Sequence, residues 1–179
     1  EIAHKVLENI KCENFVLIDV GANIGLFTRQ MLNKFDKRVL NSFCFEPHQG
    51  NFSILNKNLL GISKVKKYNY ALSINEGISK FRLENNNSGN YSFYRSAMEN
   101  EPYKEIEILT KDVDNEFNSL FLEIKEDFIY KSDTQGHDQI IACRIGNHFW
   151  KKVKFAIFEL WRLQDNKYDE ERFEEILNF

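Results

Sequence analysis

Cysteine is scarce and scattered. Cys12, Cys44 and Cys143 lie far apart. An odd, sparse set argues against a disulfide framework and for a reducing, cytoplasmic compartment. No CxxC pair or clustered Cys/His spacing offers a structural zinc site, so no metal is expected. Long apolar runs are missing too: none approaches the roughly 18 residues needed to cross a bilayer, so no membrane span is expected. No signal-peptide pattern opens the chain, although it begins at Glu1 rather than Met, which leaves a removed leader open. Charge of one sign is also lacking. Lys and Arg number 24 against 27 Asp and Glu, a net charge of -3, so no electrostatic footprint points to nucleic acid. No repeat and no linker divides the sequence. Residues 1–179 are expected to form one domain, long enough for a sizeable core.

What is present is ordinary globular composition, 42% hydrophobic and 28% charged, with 16 Phe. Ile2, Val6, Leu7 and Ile10 recur at helical spacing and predict an opening helix. Phe15 to Val20 is short, nearly all apolar and partly β-branched, as a strand covered on both faces should be. Gly21 and Gly25 then punctuate a turn, and Phe27, Met31, Leu32 and Phe35 mark a helix. Ser42 to Phe45 reads as a second buried strand ending in Glu46-Pro47. Phe52, Leu55 and Leu59 give a helix with Gly61 placed like its C-terminal cap, and Val65 to Tyr70 gives a third strand. This alternation implies right-handed crossovers and a parallel sheet.

The middle changes character. Residues 78–110 read as an irregular excursion with short antiparallel strands, a candidate lid or substrate wall. Within it, Asn86, Asn87, Ser88, Asn90, Tyr91 and Tyr94 mix hydrogen-bonding groups and flat rings, which suits a sugar; the plainer reading is a flexible hairpin loop. The alternation then resumes. Phe128 to Asp133 is a fourth strand, Gln139 to Phe149 a helix, Val153 to Glu159 a fifth strand, and Phe173, Ile176 and Leu177 mark a last helix. The fold class is therefore α/β, with a doubly wound, mostly parallel sheet.

Ligands of open parallel sheets bind beyond the carboxyl ends of the strands. Asp19, Glu46, Asp133 and Glu159 stand at four such ends. Gly21 permits a tight turn and close approach of a ligand to the backbone, and the helix start beyond Gly25 offers unpaired N–H groups. Position 23 is Asn, so the dinucleotide pattern G-x-G-x-x-G is not met. Asp19 would repel a pyrophosphate and suits a cationic amino group instead. Both features argue against a nucleotide-dependent oxidoreductase. Glu46, at the end of the second strand, can accept both hydroxyls of a ribose. The plain alternatives are a strand–turn–helix junction and a solvated strand end.

Three segments in series carry a resemblance: Val20-Gly-Ala-Asn-Ile-Gly25, Phe45-Glu-Pro-His48 with Asn51, and Lys131-Ser-Asp-Thr-Gln-Gly-His-Asp138. Together with Ile157-Phe-Glu159 they resemble the FkbM family of S-adenosylmethionine-dependent methyltransferases. The resemblance runs from about Phe15 to Phe158. It implies a Rossmann-like class I methyltransferase fold with a seven-stranded sheet, and O-methylation of a carbohydrate, glycoconjugate or hydroxylated natural product. On this likeness Asp19, Gly21 and Asn23, in one cofactor loop with Ala22 and Gly25, would line the methionine part of S-adenosylmethionine. Glu46 would hold the ribose, Pro47 and His48 would lie near the adenosine, Ala71 would approach the adenine, and Asp133 would sit beside the methyl group. Ser132 stands where the family usually has an aliphatic residue. The tail after Glu159 holds a helix and a stub rather than two more strands, so the sheet is expected to be minimal or truncated.

Removing the acceptor's proton calls for a base. Asp133 and His137 are both candidates, and His137 can equally be a structural residue at a helix start. Asp138 reads as a capping or first-turn acid. The alternative to an enzyme is a methyltransferase-like module that binds without catalysis.

Overall fold

The computed structural model describes residues 12–85, 91–94, 102–161 and 167–178; the expected opening helix and residues 86–90 of the Asn-rich loop lie outside them. Phe15 to Val20 forms β1, and all six residues are buried. Its neighbours are β2 (Val39–Phe45) and β7 (Asp127–Ser132), both parallel to it. The outer strands β3 (Val65–Tyr68) and β8 (Val153–Phe158) complete a five-stranded sheet of order β3-β2-β1-β7-β8. Every pairing in it is parallel. The strand order reverses between β1 and β7, the place where such sheets open a crevice.

Helices cover both faces. On one side α1 (Leu26–Phe35) and α2 (Gln49–Asn58) pack Met31, Leu32, Leu55 and Leu59 against Phe15, Leu17 and Ile129. On the other lie α3 (Val113–Phe121), α4 (Asp138–Arg144), α5 (Asn147–Trp150) and α6 (Glu170–Leu177). They bury Phe117, Phe121, Ile141, Phe149, Trp150 and Phe173 against Val16, Ile18 and Tyr130. Much of the phenylalanine meets here: Phe149 stacks on Phe128 at 4.9 Å, and Phe117 and Phe121 meet edge to face. This is an α/β fold with a doubly wound, Rossmann-like parallel sheet. Among the described residues no strand follows β8. No helix among them is long and apolar enough to cross a membrane.

The chain departs from its sequence reading at three places. The third strand stops at Tyr68, where Asn69 Nδ2 donates to the carbonyls of Glu46 and Pro47. Ala71–Ser73 then forms β4 in a separate sheet, of order β4-β6-β5. There β5 (Gly77–Glu84) and β6 (Tyr103–Asp112) pair antiparallel along the whole of β5, so the excursion at 78–110 is more regular than its composition suggests. The reason is period-2 patterning: Phe81 and Ile108 are buried on one face, while Ile78 and Leu109 are exposed on the other. Finally, the helix expected over 139–149 is two helices. Ile145 and Gly146 are extended between them, and Gly146 N–H donates to Asp114 Oδ1 rather than to a helical carbonyl.

Candidate active site at the carboxyl ends of the strands

The turn after β1 is built from left-handed backbone. Gly21, Asn23 and Gly25 have φ of 69°, 51° and 81°. The N–H groups of Gly21 and Ala22 both donate to Phe45 O, at 3.0 and 2.9 Å, which ties the turn to the end of β2. Asn23 N–H donates to Glu46 Oε2 and His48 N–H to Glu46 Oε1, each at 2.9 Å. Glu46 is thereby fixed from both sides at the rim of a pocket. Burial pushes its carboxyl up to about 7, while the two N–H donors pull the other way.

Two openings flank the Gly21–Asn23 turn, and Gly21, Asn23 and Asp133 border both. The first is an apolar pocket of about 610 Å³, with Glu46, Pro47 and Ala71 in its wall. Aromatic rings from Tyr70, Tyr91 and Phe93 close it. The second is a wider cleft of about 1330 Å³, with Ala22, Phe27, Lys131, Phe158 and Glu159 in its wall.

Not every residue singled out in the sequence reaches these openings. Asp19 is fully buried on the α1 side of the sheet. Thr28 Oγ1 donates to its Oδ2 at 2.7 Å, and Lys131 Nζ lies 3.0 Å from its Oδ1. Asp19 and Lys131 are register partners on β1 and β7, so the cation that Asp19 was expected to take from a ligand is supplied by the chain. Lys131 also donates to Gly21 O at 2.7 Å. Burial alone would lower the Lys131 ammonium, but Asp19 and Asp133 outweigh it and hold it above its usual value. Gly25 packs toward Leu55 and Leu59. His48 caps α2: its Nδ1 accepts from Asn51 N–H at 3.3 Å.

His137 lies outside both openings and is buried. Its Nε2 is 3.1 Å from Ser73 Oγ and its Nδ1 2.7 Å from Tyr94 OH. The ring therefore links β4, α4 and the 91–94 segment, which favours the structural one of its two roles. Burial pulls it from 6.5 down to about 4. The folded state then binds fewer protons than the unfolded one below pH 6.5, so stability present above that pH is lost as pH falls toward 4. Thermal melts should show His137→Gln losing less stability than wild type between pH 6.5 and 5, by roughly 2 kcal/mol. Equal losses would mean the ring is not held neutral.

Asp138, the first residue of α4, holds the neighbouring loop. It accepts from Ser132 Oγ at 2.5 Å and Thr134 N–H at 3.1 Å. Beyond β7, Asp133 is open to solvent along 44% of its side chain. Gln135 Nε2 donates to Asp133 Oδ1 at 2.8 Å and to Glu159 Oε2 at 2.5 Å. Burial, and then Asp133 itself, push the Glu159 carboxyl up to about 7. The resemblance gives no role to Lys131 or Gln135; what marks them in the sequence is a charge and an amide beside strand-end acids. Among the described residues no group of three His, Cys, Asp or Glu side chains gathers as a metal site.

No protein-family model matches the chain, and no curated protein matches it. Among solved structures it is similar to an rRNA methylase from Streptococcus thermophilus. The TM-score is 0.45 and the identity 9%, over 99% of this chain and 79% of that one.

Proposed function

We propose that the chain is an S-adenosylmethionine-dependent O-methyltransferase of FkbM-like type, with the cofactor in the apolar pocket and a hydroxylated acceptor in the wider cleft. The observation that supports it most is the placing of Glu46 and Asp133. They follow the two strands that flank β1 and face one pocket across the Gly21–Asn23 turn.

The residues present fit the cofactor. Glu46 keeps lone pairs free to accept a ribose diol while the N–H groups of Asn23 and His48 hold it in place. Pro47, Ala71 and Leu72 offer an apolar slot for a flat base. At the other end Asp133, rather than the buried Asp19, is the carboxylate that can meet an amino group. When bound, S-adenosylmethionine supplies a methyl group on a cationic sulfur. The chain's part is to orient that methyl toward the cleft and to align the acceptor oxygen with it. The acceptor class remains the one the resemblance implies: a carbohydrate, a glycoconjugate or a hydroxylated natural product.

Calorimetry with S-adenosylhomocysteine tests this directly, and no binding to the folded chain would refute it. Glu46→Ala should weaken binding by roughly 10²- to 10⁴-fold, because two hydrogen bonds to a charged group are lost. Protonation removes the carboxylate that accepts the diol, so affinity should rise with pH through about 7. Glu46→Gln should abolish that rise, and an unchanged pH dependence would remove Glu46 from the site.

A further inference from the structure

Glu159 stands at the wider cleft with no part in the cofactor reading. It follows β8 directly, and its N–H donates to Ser132 O at 3.1 Å, which fixes the end of β8 to the end of β7. Its carboxylate and that of Asp133 share one donor, the Gln135 amide. Gln135 is held at φ 54°, a left-handed conformation unusual for a residue with a Cβ. Such outliers persist where the surroundings over-determine them, and they concentrate at functional sites.

The two acids are not equivalent. Asp133 borders both openings, whereas Glu159 borders only the cleft. Lys131 Nζ is 3.9 Å from Asp133 Oδ2, so Asp133 already has a cation beside it. Ile24, Leu26 and Phe27 also line the cleft and offer an apolar surface to the body of an acceptor.

We propose that Glu159 is the catalytic residue that takes the acceptor hydroxyl's proton, with Gln135 as the positioning residue that holds it beside Asp133. The proposal rests on the O-methyltransferase reading. The acceptor oxygen forms its bond to the methyl carbon as the carbon–sulfur bond breaks. The bonding pair stays on sulfur, which loses its positive charge. The hydroxyl proton passes to a Glu159 carboxylate oxygen, which loses its negative charge, so no co-reactant is required. His137, buried outside the cleft, does not compete for this role.

The groups facing Glu159 are Asp133 and Gln135 after β7, Asp138 on α4 and Trp161 beyond β8. Burial and Asp133 raise its carboxyl to about 7, with Trp161 opposing, so the base is partly ionised at neutral pH.

Two readouts test the assignment. One is carbon-13 NMR titration of the Glu159 carboxyl in the ligand-free chain. The midpoint is expected near 7 in wild type and higher in Gln135→Met, where two carboxylates lose their shared donor. The other is methyl transfer from S-adenosylmethionine to neutral aryl glycosides, 4-nitrophenyl β-D-glucopyranoside among them. Glu159→Gln should bind S-adenosylhomocysteine as wild type does, yet transfer methyl about 10²- to 10⁴-fold more slowly. It should also lose the rise of rate through pH 7, while Gln135→Met moves that rise upward. A Glu159 midpoint at the ordinary 4.5, or a Glu159→Gln variant at full rate, overturns the proposal and leaves the cofactor reading intact. If no glycoside accepts a methyl group, the titration decides alone. Absence of S-adenosylhomocysteine binding overturns both.

Discussion

Lys131→Met should lower the stability of the fold by about 3–5 kcal/mol, read as a shift of the urea midpoint or the melting temperature. The methionine fills similar space, so the loss is electrostatic. Asp19 is fully buried, and the Lys131 ammonium at 3.0 Å balances its charge. Thr28 satisfies only the other carboxylate oxygen. Without the ammonium the carboxylate remains in the low-dielectric space between α1 and the sheet, and Gly21 O loses its donor. Removing both charges at once, as Asp19→Asn with Lys131→Met, should recover part of the stability, since no unpaired charge is then buried. A single variant that loses under about 1 kcal/mol, the scale of an exposed pair, would show that the buried pair is not what holds the turn.

Gly21→Ala should be the other severe variant, and it can be ranked against two glycines of similar backbone. Gly21, Gly25 and Gly61 have φ of 69°, 81° and 76°, so each charges a newly added Cβ the same left-handed strain, roughly 1–2 kcal/mol. Space separates them. A Cβ at Gly61 meets nothing within 4 Å. At Gly25 it comes 3.1 Å from Leu59 Cδ1, the end of a side chain that can turn. At Gly21 it comes 2.0 Å from Asp133 O, a backbone atom in the loop after β7. Either the β1 turn or that loop must move, and both border the candidate cofactor pocket. Gly21→Ala is therefore expected to lose roughly 3–5 kcal/mol, at the severe end of single substitutions, together with S-adenosylhomocysteine binding. Gly61→Ala should lose only the conformational part. Equal losses at the three positions would show that backbone strain alone, and not the approach to Asp133, sets the cost.

Much of the architecture is legible along the chain. The all-apolar stretch Phe15–Val20, the Gly21–Gly25 turn and the spacing of Phe27, Met31 and Leu32 specify a strand, a turn and a helix through neighbouring residues alone. Helix α3 is equally legible: Val113, Phe117 and Phe121 recur every four residues, and Asp112 caps them by accepting from Asn115 N–H at 3.0 Å. The break at Ile145–Gly146 was not legible, because the group that takes the Gly146 N–H, Asp114, belongs to a different helix.

The site divides in the same way. Asp19, Glu46 and Asp133 could be located from the sequence because each ends a readable strand, and a period of two sends alternate side chains to opposite faces. What each acid meets was decided elsewhere. Asp19 finds Lys131 only because β7 returns to pair with β1 in register. Glu159 meets Asp133 only because β8 pairs with β7 and Gln135 bridges them. Local patterns fix which residues form strands, turns and helices, since propensity and turn chemistry act over a few positions. Charge partners, burial and the division into pocket and cleft follow from the order of strands far apart in the chain, and only the tertiary structure decides that order.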